Sequence, residues 1–390
     1  MAGYTSQDDL INQITTNGRY RRIEIAKTLA PAHTATAGWH LMNGLAGYPA
    51  AQTFQGTTDL VFTTCTEQGG DGLGSPTYPG PYHGGVVGST YKKFLLNMGA
   101  NIIAAAGAPW QIKLVDLCYY YKLSGTNVTG TSGRTCINSN TFTASSSSGL
   151  LLTYTNDFAN FSKVRFTTTT TLPTGLSLAT DYWLVRVSAT TARVATSLAN
   201  AIAGTVIAYT DAGSGTHTVT MQNPRYTDGV GCEAAFVVQT APSTGGPTLS
   251  ASSYTNTDGT AGRAFQGTPT FNAAADAYAT RIPHSSNAAN RYGPILPKQG
   301  ADTGIKSIES FTLSAGTAYT GAGVLALCVY KPLGDLLIPA SGMYSERDFV
   351  NQLPSLPEIK DGACLGFMVY STGATTNGSP FTANIDVGWG

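Results

Sequence analysis

Charge is scarce in this chain: Asp, Glu, Lys and Arg make up 11% of its 390 residues, against about 25% in ordinary soluble domains. The 22 basic residues equal the 22 acidic ones, so the formal net charge is zero. With neither sign prevailing, no global field draws the chain to nucleic acid or to an anionic membrane surface. The densest basic run, Arg19, Arg21 and Arg22 with Lys27, is interrupted by Ile23 and Glu24 and reads as one solvated strand face. Long apolar runs are missing too. Nothing approaches the ~18 residues that a membrane helix needs. The start MAGYTSQDDLINQ has no basic stretch followed by an apolar one, so no secretory signal is expected. The chain is expected to be made and kept in a cytoplasm, leaving it only by lysis.

Paired cysteines are lacking. Cys65, Cys118, Cys136, Cys232, Cys328 and Cys364 lie far apart with no C-x-x-C spacing, which excludes ribbon-type zinc sites and argues against a disulfide framework. Three of them sit in apolar runs (VDLCYYY, LALCVY, GACLGFMVY), where a free thiol behaves as a small core residue. Catalytic signatures are also missing: no G-x-S-x-G, G-x-x-x-x-G-K-[ST], H-E-x-x-H or G-x-G-x-x-G pattern occurs in a fitting context. His33, His40, His83, His217 and His284 are scattered without a common zinc spacing. The expectation is no catalytic residue, no metal site, no cofactor and no enzymatic activity. The carboxylates Asp116, Asp228, Asp258, Asp276, Asp302, Glu346, Asp348, Asp361 and Asp386 could in principle pair as glycosidase acids. Most stand in turn contexts such as Thr-Asp-Gly and Lys-Asp-Gly, where Asp bonds its own backbone.

What the chain has is turns and strands. Its 45 glycines exceed the usual ~7%. Short β-branched and aromatic runs such as DLVFTTCT, WQIKLVDLCYYYKL, CEAAFVVQTA, GVLALCVYKPL and CLGFMVYSTG recur between them. Such spacing without intervening helical patterns predicts an all-β, sandwich- or barrel-like body. A single short helix is expected at the start, with Ser6 and Asp9 as a capping box, Leu10, Ile11 and Ile14 as the apolar stripe and Gly18 as the stop. Between Thr141 and Gln222 the chain turns into Thr-rich hairpins, with aromatic-rich segments on either side. The predicted organisation is a body of 1–140 and 223–390 with an inserted small β domain at 141–222. Within the insert, Leu172–Gly175 reads as a turn, Tyr182–Val187 as a strand, Leu198–Gly204 as a short helix or loop, and Asp211–Gly215 as a hairpin turn.

Low charge without net charge removes the repulsion that keeps monomers apart and matches the charge depletion of interface cores. A homo-oligomer is expected, a trimer first, burying well over ~1,000 Å² per contact. Within that surface Glu346-Arg347-Asp348 is a rare charge cluster, a candidate bidentate contact inside the fold or across a subunit boundary. Pro354 and Pro357 predict an extended connector or docking arm after it. Tyr119-Tyr120-Tyr121 places rings on both faces of a strand, so Tyr119 and Tyr121 are candidate interface residues.

The insert resembles a small β module that recurs in virion proteins of tailed bacteriophages. The likeness is carried by Phe166-Thr167-Thr168, Leu172-Pro173-Thr174-Gly175-Leu176, Asp181-Tyr182-Trp183, the run from Ala195 to Ala201 and the run from Asp211 to His217. The body is similar to phage proteins of the same plan through Pro224-Arg225-Tyr226-Thr227-Asp228-Gly229, Ile282-Pro283-His284-Ser285, Asn290-Arg291-Tyr292-Gly293-Pro294, the run from Glu346 to Pro357, and the ending from Ile359 to Gly390. The resemblance implies a structural component of a virion assembled in the host bacterial cytoplasm: a capsid decoration, cement or minor capsid protein. Its partners would be copies of itself and other virion proteins, the major capsid protein among them, with no nucleic acid and no membrane. The alternative it leaves open is a tail, fibre or spike component that binds the host surface.

Overall fold

The strand Lys93–Ile102 shows why this sequence folds as sheet: its residues alternate across a pleat, yet nearly all are buried, because layers cover both faces. The computed structural model of the chain describes residues 3–29, 38–54, 62–67, 79–88, 90–104, 108–124, 134–145, 150–152, 158–188, 190–240, 244–269, 271, 280–283, 285–287, 290–292, 295–320, 323–352, 356–373 and 378–390. The fold is all-β.

A six-stranded antiparallel sheet ties the two ends of the chain together. Tyr20–Leu29 pairs along its whole length with Ser379–Trp389, from Tyr20↔Gly388 to Leu29↔Ser379. Ser379–Trp389 pairs in turn with Lys93–Ile102, and Ser345–Asp348 forms the sheet edge beyond. The helix Gln7–Thr15 starts as expected, with Ser6 Oγ accepting from the Asp9 amide at 3.0 Å. Of its apolar stripe only Leu10 is buried; Ile11 is 53% exposed. The basic run does not form one solvated face. Alternation carries Lys27 inward with Ile23, Ile25 and Leu29, while Arg21 lies over the Tyr82 ring at 4.5 Å.

A second sheet closes on itself. Trp110–Ser124 pairs with Val324–Ile338, which pairs with Glu233–Thr240; the ring continues through Arg281–Ile282, Gly38–Leu41 and Leu365–Ser371 and returns to Trp110–Ser124. All six strands contribute to an apolar cluster that includes Trp39, Leu41, Leu117, Tyr120, Val237, Ile282, Cys328 and Met368. Outside the ring, Trp110, Ile112 and Leu114 join Ile23, Leu95, Phe381 and Ile385 of the six-stranded sheet in another cluster. Further along the same strand, Tyr119, Tyr121 and Leu123 join Phe236, Leu327 and Phe311. Phe311 belongs to a third sheet of Thr244–Asn256, Ile305–Thr320 and Arg134–Ile137. The register slips between Tyr119↔Val329 and Leu117↔Tyr330. This bulge re-aims the side chains along the strand, and all three tyrosines are at most 1% exposed.

Between Ser139 and Met221, six strands close a small barrel: Ser139–Ser145, Leu150–Leu152, Thr191–Ala195, Tyr182–Arg186, Lys163–Thr168 and His217–Met221, the last pairing back to the first. Its stem is pinned by buried Asn138, whose Nδ2 donates to Met221 O at 3.1 Å and whose amide donates to Glu309 O at 2.7 Å. Leu198–Ile202 is helical, capped by Ser197 Oγ on the Asn200 amide. The loop at Asp211–Gly215 does more than turn a hairpin. Asp211 Oδ1 accepts from the Gly213 and Thr174 amides, and Ser214 bridges to Thr171 across the barrel mouth. Phe142, Val164, Phe166, Leu184 and Val219 belong to the same apolar cluster as Tyr119 and Phe311, and Phe62 bridges to Phe158. Removing 139–221 and joining the ends should therefore leave a β-rich body by circular dichroism. Its unfolding midpoint should fall, because Phe62 and the cluster edge become wet. Loss of cooperative unfolding altogether would show that the body does not fold without the barrel.

Candidate functional site

With so few charges, the places where they gather are the informative ones. Among the described residues, two such places lie deepest in the fold. In the first, Asp116 stands in the middle of the apolar run LVDLCYYY and is 0% exposed. It is met by Arg225 from the Pro-Arg-Tyr-Thr-Asp-Gly segment. Arg225 Nε donates to Asp116 Oδ2 at 2.9 Å and Nη2 to Oδ1 at 2.6 Å. The remaining donors reach Cys65 O at 2.7 Å and Leu117 O at 2.6 Å, and the Cys364 amide donates to Asp116 Oδ1 at 2.8 Å. Burial would lower the guanidinium's pKa, but the Asp116 carboxylate outweighs it and holds the pKa raised. One ion pair thus fastens the 62–67 segment at Cys65, the central strand, the turn after the barrel and the segment before Leu365.

The second place joins Glu67, His83, Lys93 and Asp361. The first three are at most 1% exposed. Glu67 Oε2 accepts the His83 amide at 2.9 Å and the Gly85 amide at 3.3 Å. Lys93 Nζ lies 3.1 Å from His83 Nδ1, 3.1 Å from Asp361 Oδ1 and 3.8 Å from Glu67 Oε1. Lys93 can only donate, so His83 Nδ1 is the acceptor and Nε2 carries the proton, which it donates to Ala363 O at 2.8 Å. Burial, reinforced by the Lys93 charge, lowers the imidazole pKa to about 3. Burial raises the Glu67 carboxyl above its ordinary value, against the pull of Lys93. A third buried cation, Lys27, donates to Leu45 O at 3.1 Å and to Pro49 O, and burial lowers its pKa to about 8.

The residues expected to form an interface go elsewhere. Tyr119 and Tyr121 are both 1% exposed and lie inside the chain's own core, so neither presents a ring to a partner. Both faces of their strand are covered, by different sheets. Glu346, Arg347 and Asp348 do not form one cluster. Glu346 accepts from Asn97 Nδ2 at 2.7 Å, and Asp348 Oδ1 caps the turn at the Val350 amide at 2.7 Å. Arg347 donates to Asp335 O at 3.2 Å and Oδ1 at 3.1 Å, with its guanidinium 4.9 Å over the Phe349 ring. Asp335 is 63% exposed and Arg347 34%, so this is a solvated pair. Arg347→Ala should lower thermal stability by about 1 kcal/mol or less, with Arg347→Lys closer to wild type. A loss near that of a buried pair would contradict this placement.

Of the candidate turn carboxylates, Asp228 caps its own turn through the Val230 amide. Asp361 accepts from Val87 and Gly88 besides pairing with Lys93. Asp116 is no turn residue at all. Asp302 accepts from Arg263, Tyr254 and Asn256, and those bonds, Arg263 first, hold its carboxyl well below the usual range. Among the described residues no three His, Cys, Asp or Glu side chains gather as metal ligands, and no helix is long and apolar enough to cross a membrane. His33, Asp276, His284 and Pro354 lie outside the described residues. All six cysteines are buried thiols.

Fold and sites together define an all-β chain of closed and half-closed sheets whose ion pairs cross-link its own strands. Compared with protein-family models and with curated proteins, the chain matches none.

Proposed function

We propose that this chain is a non-enzymatic structural component of a tailed-phage particle, a capsid decoration, cement or minor capsid protein. In this reading it stabilises a shell through contacts with copies of itself and with the major capsid protein. One observation carries the reading: a chain with only 11% charged residues places several of them out of reach of solvent. Glu67, Lys93 and Asp116 are 0–1% exposed, and Arg225 is 6% exposed in its side chain. Apolar side chains such as Leu178, Leu337, Ile103, Met343 and Tyr344 stand at least half exposed on the outer surface. Such a surface suits permanent packing against protein better than life as a free monomer. The buried pairs and the end-to-end pairing of the terminal strands make a body that keeps its shape under load. The division into a body and an inserted barrel fits a rigid block that presents one module outward. Sedimentation equilibrium of the purified full chain tests the reading, with a trimer expected at micromolar concentration. A monodisperse monomer, together with absence from purified particles, would overturn it.

A further inference from the structure

The buried group around Lys93 holds an amine and two carboxyl groups within reach of one another, and its geometry suits more than an ion pair. Lys93 opens the strand Lys93–Ile102 and pairs with Ile359. Just after Ile359 the chain turns, closed by the Ala363 amide on Lys360 O at 3.1 Å. That turn brings the Asp361 carboxyl to the strand end, with Oδ1 3.1 Å from Lys93 Nζ. Backbone hydrogen bonds thus fix both partners. Three acceptors meet the amine, one for each hydrogen of an ammonium: His83 Nδ1 at 3.1 Å, Gly85 O and Asp361 Oδ1. With His83 and Gly85 holding two hydrogens, the third lies toward Asp361. When that hydrogen passes to the carboxylate, the lone pair it leaves points at the same carboxyl group. The Lys93 side chain is 0% exposed, and burial favours the transfer because it turns two charges into two neutral groups.

The surroundings fit an attack on that carboxyl. The Val87 amide donates to Asp361 Oδ1 and the Gly88 amide to Oδ2, each at 3.2 Å, and can hold the charge that gathers on these oxygens. Glu67 Oε1 lies 3.8 Å from Nζ and has no hydrogen-bond partner among the described residues. Burial raises the Glu67 pKa, which brings its carboxyl closer to the range where it both takes and gives a proton. We propose that Lys93 and Asp361 join in an amide cross-link that the folded chain forms by itself, with Glu67 carrying protons. The neutral Nζ attacks Asp361 Cγ; a Cγ–Nζ bond forms and one Cγ–O bond breaks. Two hydrogens of the original ammonium leave with that oxygen as water, and the third stays on the amide nitrogen. The step therefore needs no oxidant and no cofactor. Holding the two groups in place gives an effective concentration of roughly 10⁵–10⁸ M, which drives the chain toward the amide. The inference goes beyond the particle reading and stands or falls without it.

Mass spectrometry of the full chain, unfolded and digested with trypsin, tests it directly. A joined Lys93 resists the enzyme, so the peptide 93–113 should appear branched to 361–390, and the intact chain should weigh one water less than its sequence. Separate linear peptides from wild-type protein aged at neutral pH would overturn the bond. Loss of one water with 361–390 unbranched would be a succinimide at Asp361-Gly362, and would equally overturn it. A branch to the peptide containing Glu67 would overturn the choice of Asp361. Followed from its synthesis in a cell-free extract, Glu67→Gln should join at least ~10-fold more slowly than wild type, with circular dichroism showing that the variant has folded. A folded variant that joins faster than that would overturn the part given to Glu67. The wild-type digest decides on the bond whether or not the variant folds.

Discussion

Arg225→Ala should lower the free energy of unfolding by roughly 3–5 kcal/mol, because it strands the Asp116 carboxylate in a fully buried setting. The same change leaves Cys65 O and Leu117 O without their donors, and each orphaned buried acceptor adds to the loss. Arg225→Lys keeps the charge but not the fork that reaches both oxygens of Asp116. It should recover part of the loss and still cost on the order of 2 kcal/mol. Asp116→Asn should be as harmful as Arg225→Ala, and the double change Asp116→Asn with Arg225→Ala should cost much less than the two singles added together. Urea unfolding followed by circular dichroism gives all four values. Additive losses, or an Arg225→Ala loss under about 1 kcal/mol, would show that the pair is solvated and does not anchor the strands.

Acid should weaken the fold through His83. In the unfolded chain the imidazole takes its proton near pH ~6.5, whereas in the fold it stays neutral down to about pH 3. Between these values the unfolded state binds more protons, so His83's contribution is whole above pH ~6.5 and is lost as pH falls, at about 1.4 kcal/mol per unit. Glu67 acts with the opposite sign, because its raised pKa makes the fold the better proton binder just above the ordinary carboxyl range. The difference between wild type and His83→Gln isolates the histidine. From pH 7 to pH 5 the wild type should lose about 2 kcal/mol more than the variant. Parallel stability curves for the two would mean that His83 is charged in the fold or open to water.

Local features of this architecture were legible in the sequence, and non-local ones were not. The Ser6 cap and the turn at Asp228-Gly229 each depend on residues within four positions of one another, as does the segment at Leu198, which the sequence left open between a short helix and a loop and which is helical. Their chemistry fixed them before any tertiary contact. Lys27 was readable too, since it alternates with Ile23, Ile25 and Leu29. Its lone charge within the basic run drew it instead to the solvated side. The three tyrosines misled because strand alternation assumes one wet face, and here a bulge and a second covering sheet bury both. Asp116 did carry a signal, a single carboxylate inside LVDLCYYY that needs a partner. Its partner lies 109 residues away, and nothing in a single sequence pairs them. Glu67 and His83 meet where the 79–88 segment lies against Ala363, and Glu346-Arg347-Asp348 fell apart because adjacent strand residues face opposite ways.

The most direct measurement is quantitative mass spectrometry of purified phage particles, with peptides of this chain counted against those of the shell protein. If the proposed particle role holds, the chain is expected in many copies, in a fixed ratio to the shell protein that survives washing in high salt. Its absence from particles that are otherwise complete, with the chain found only in the lysate, would contradict that role.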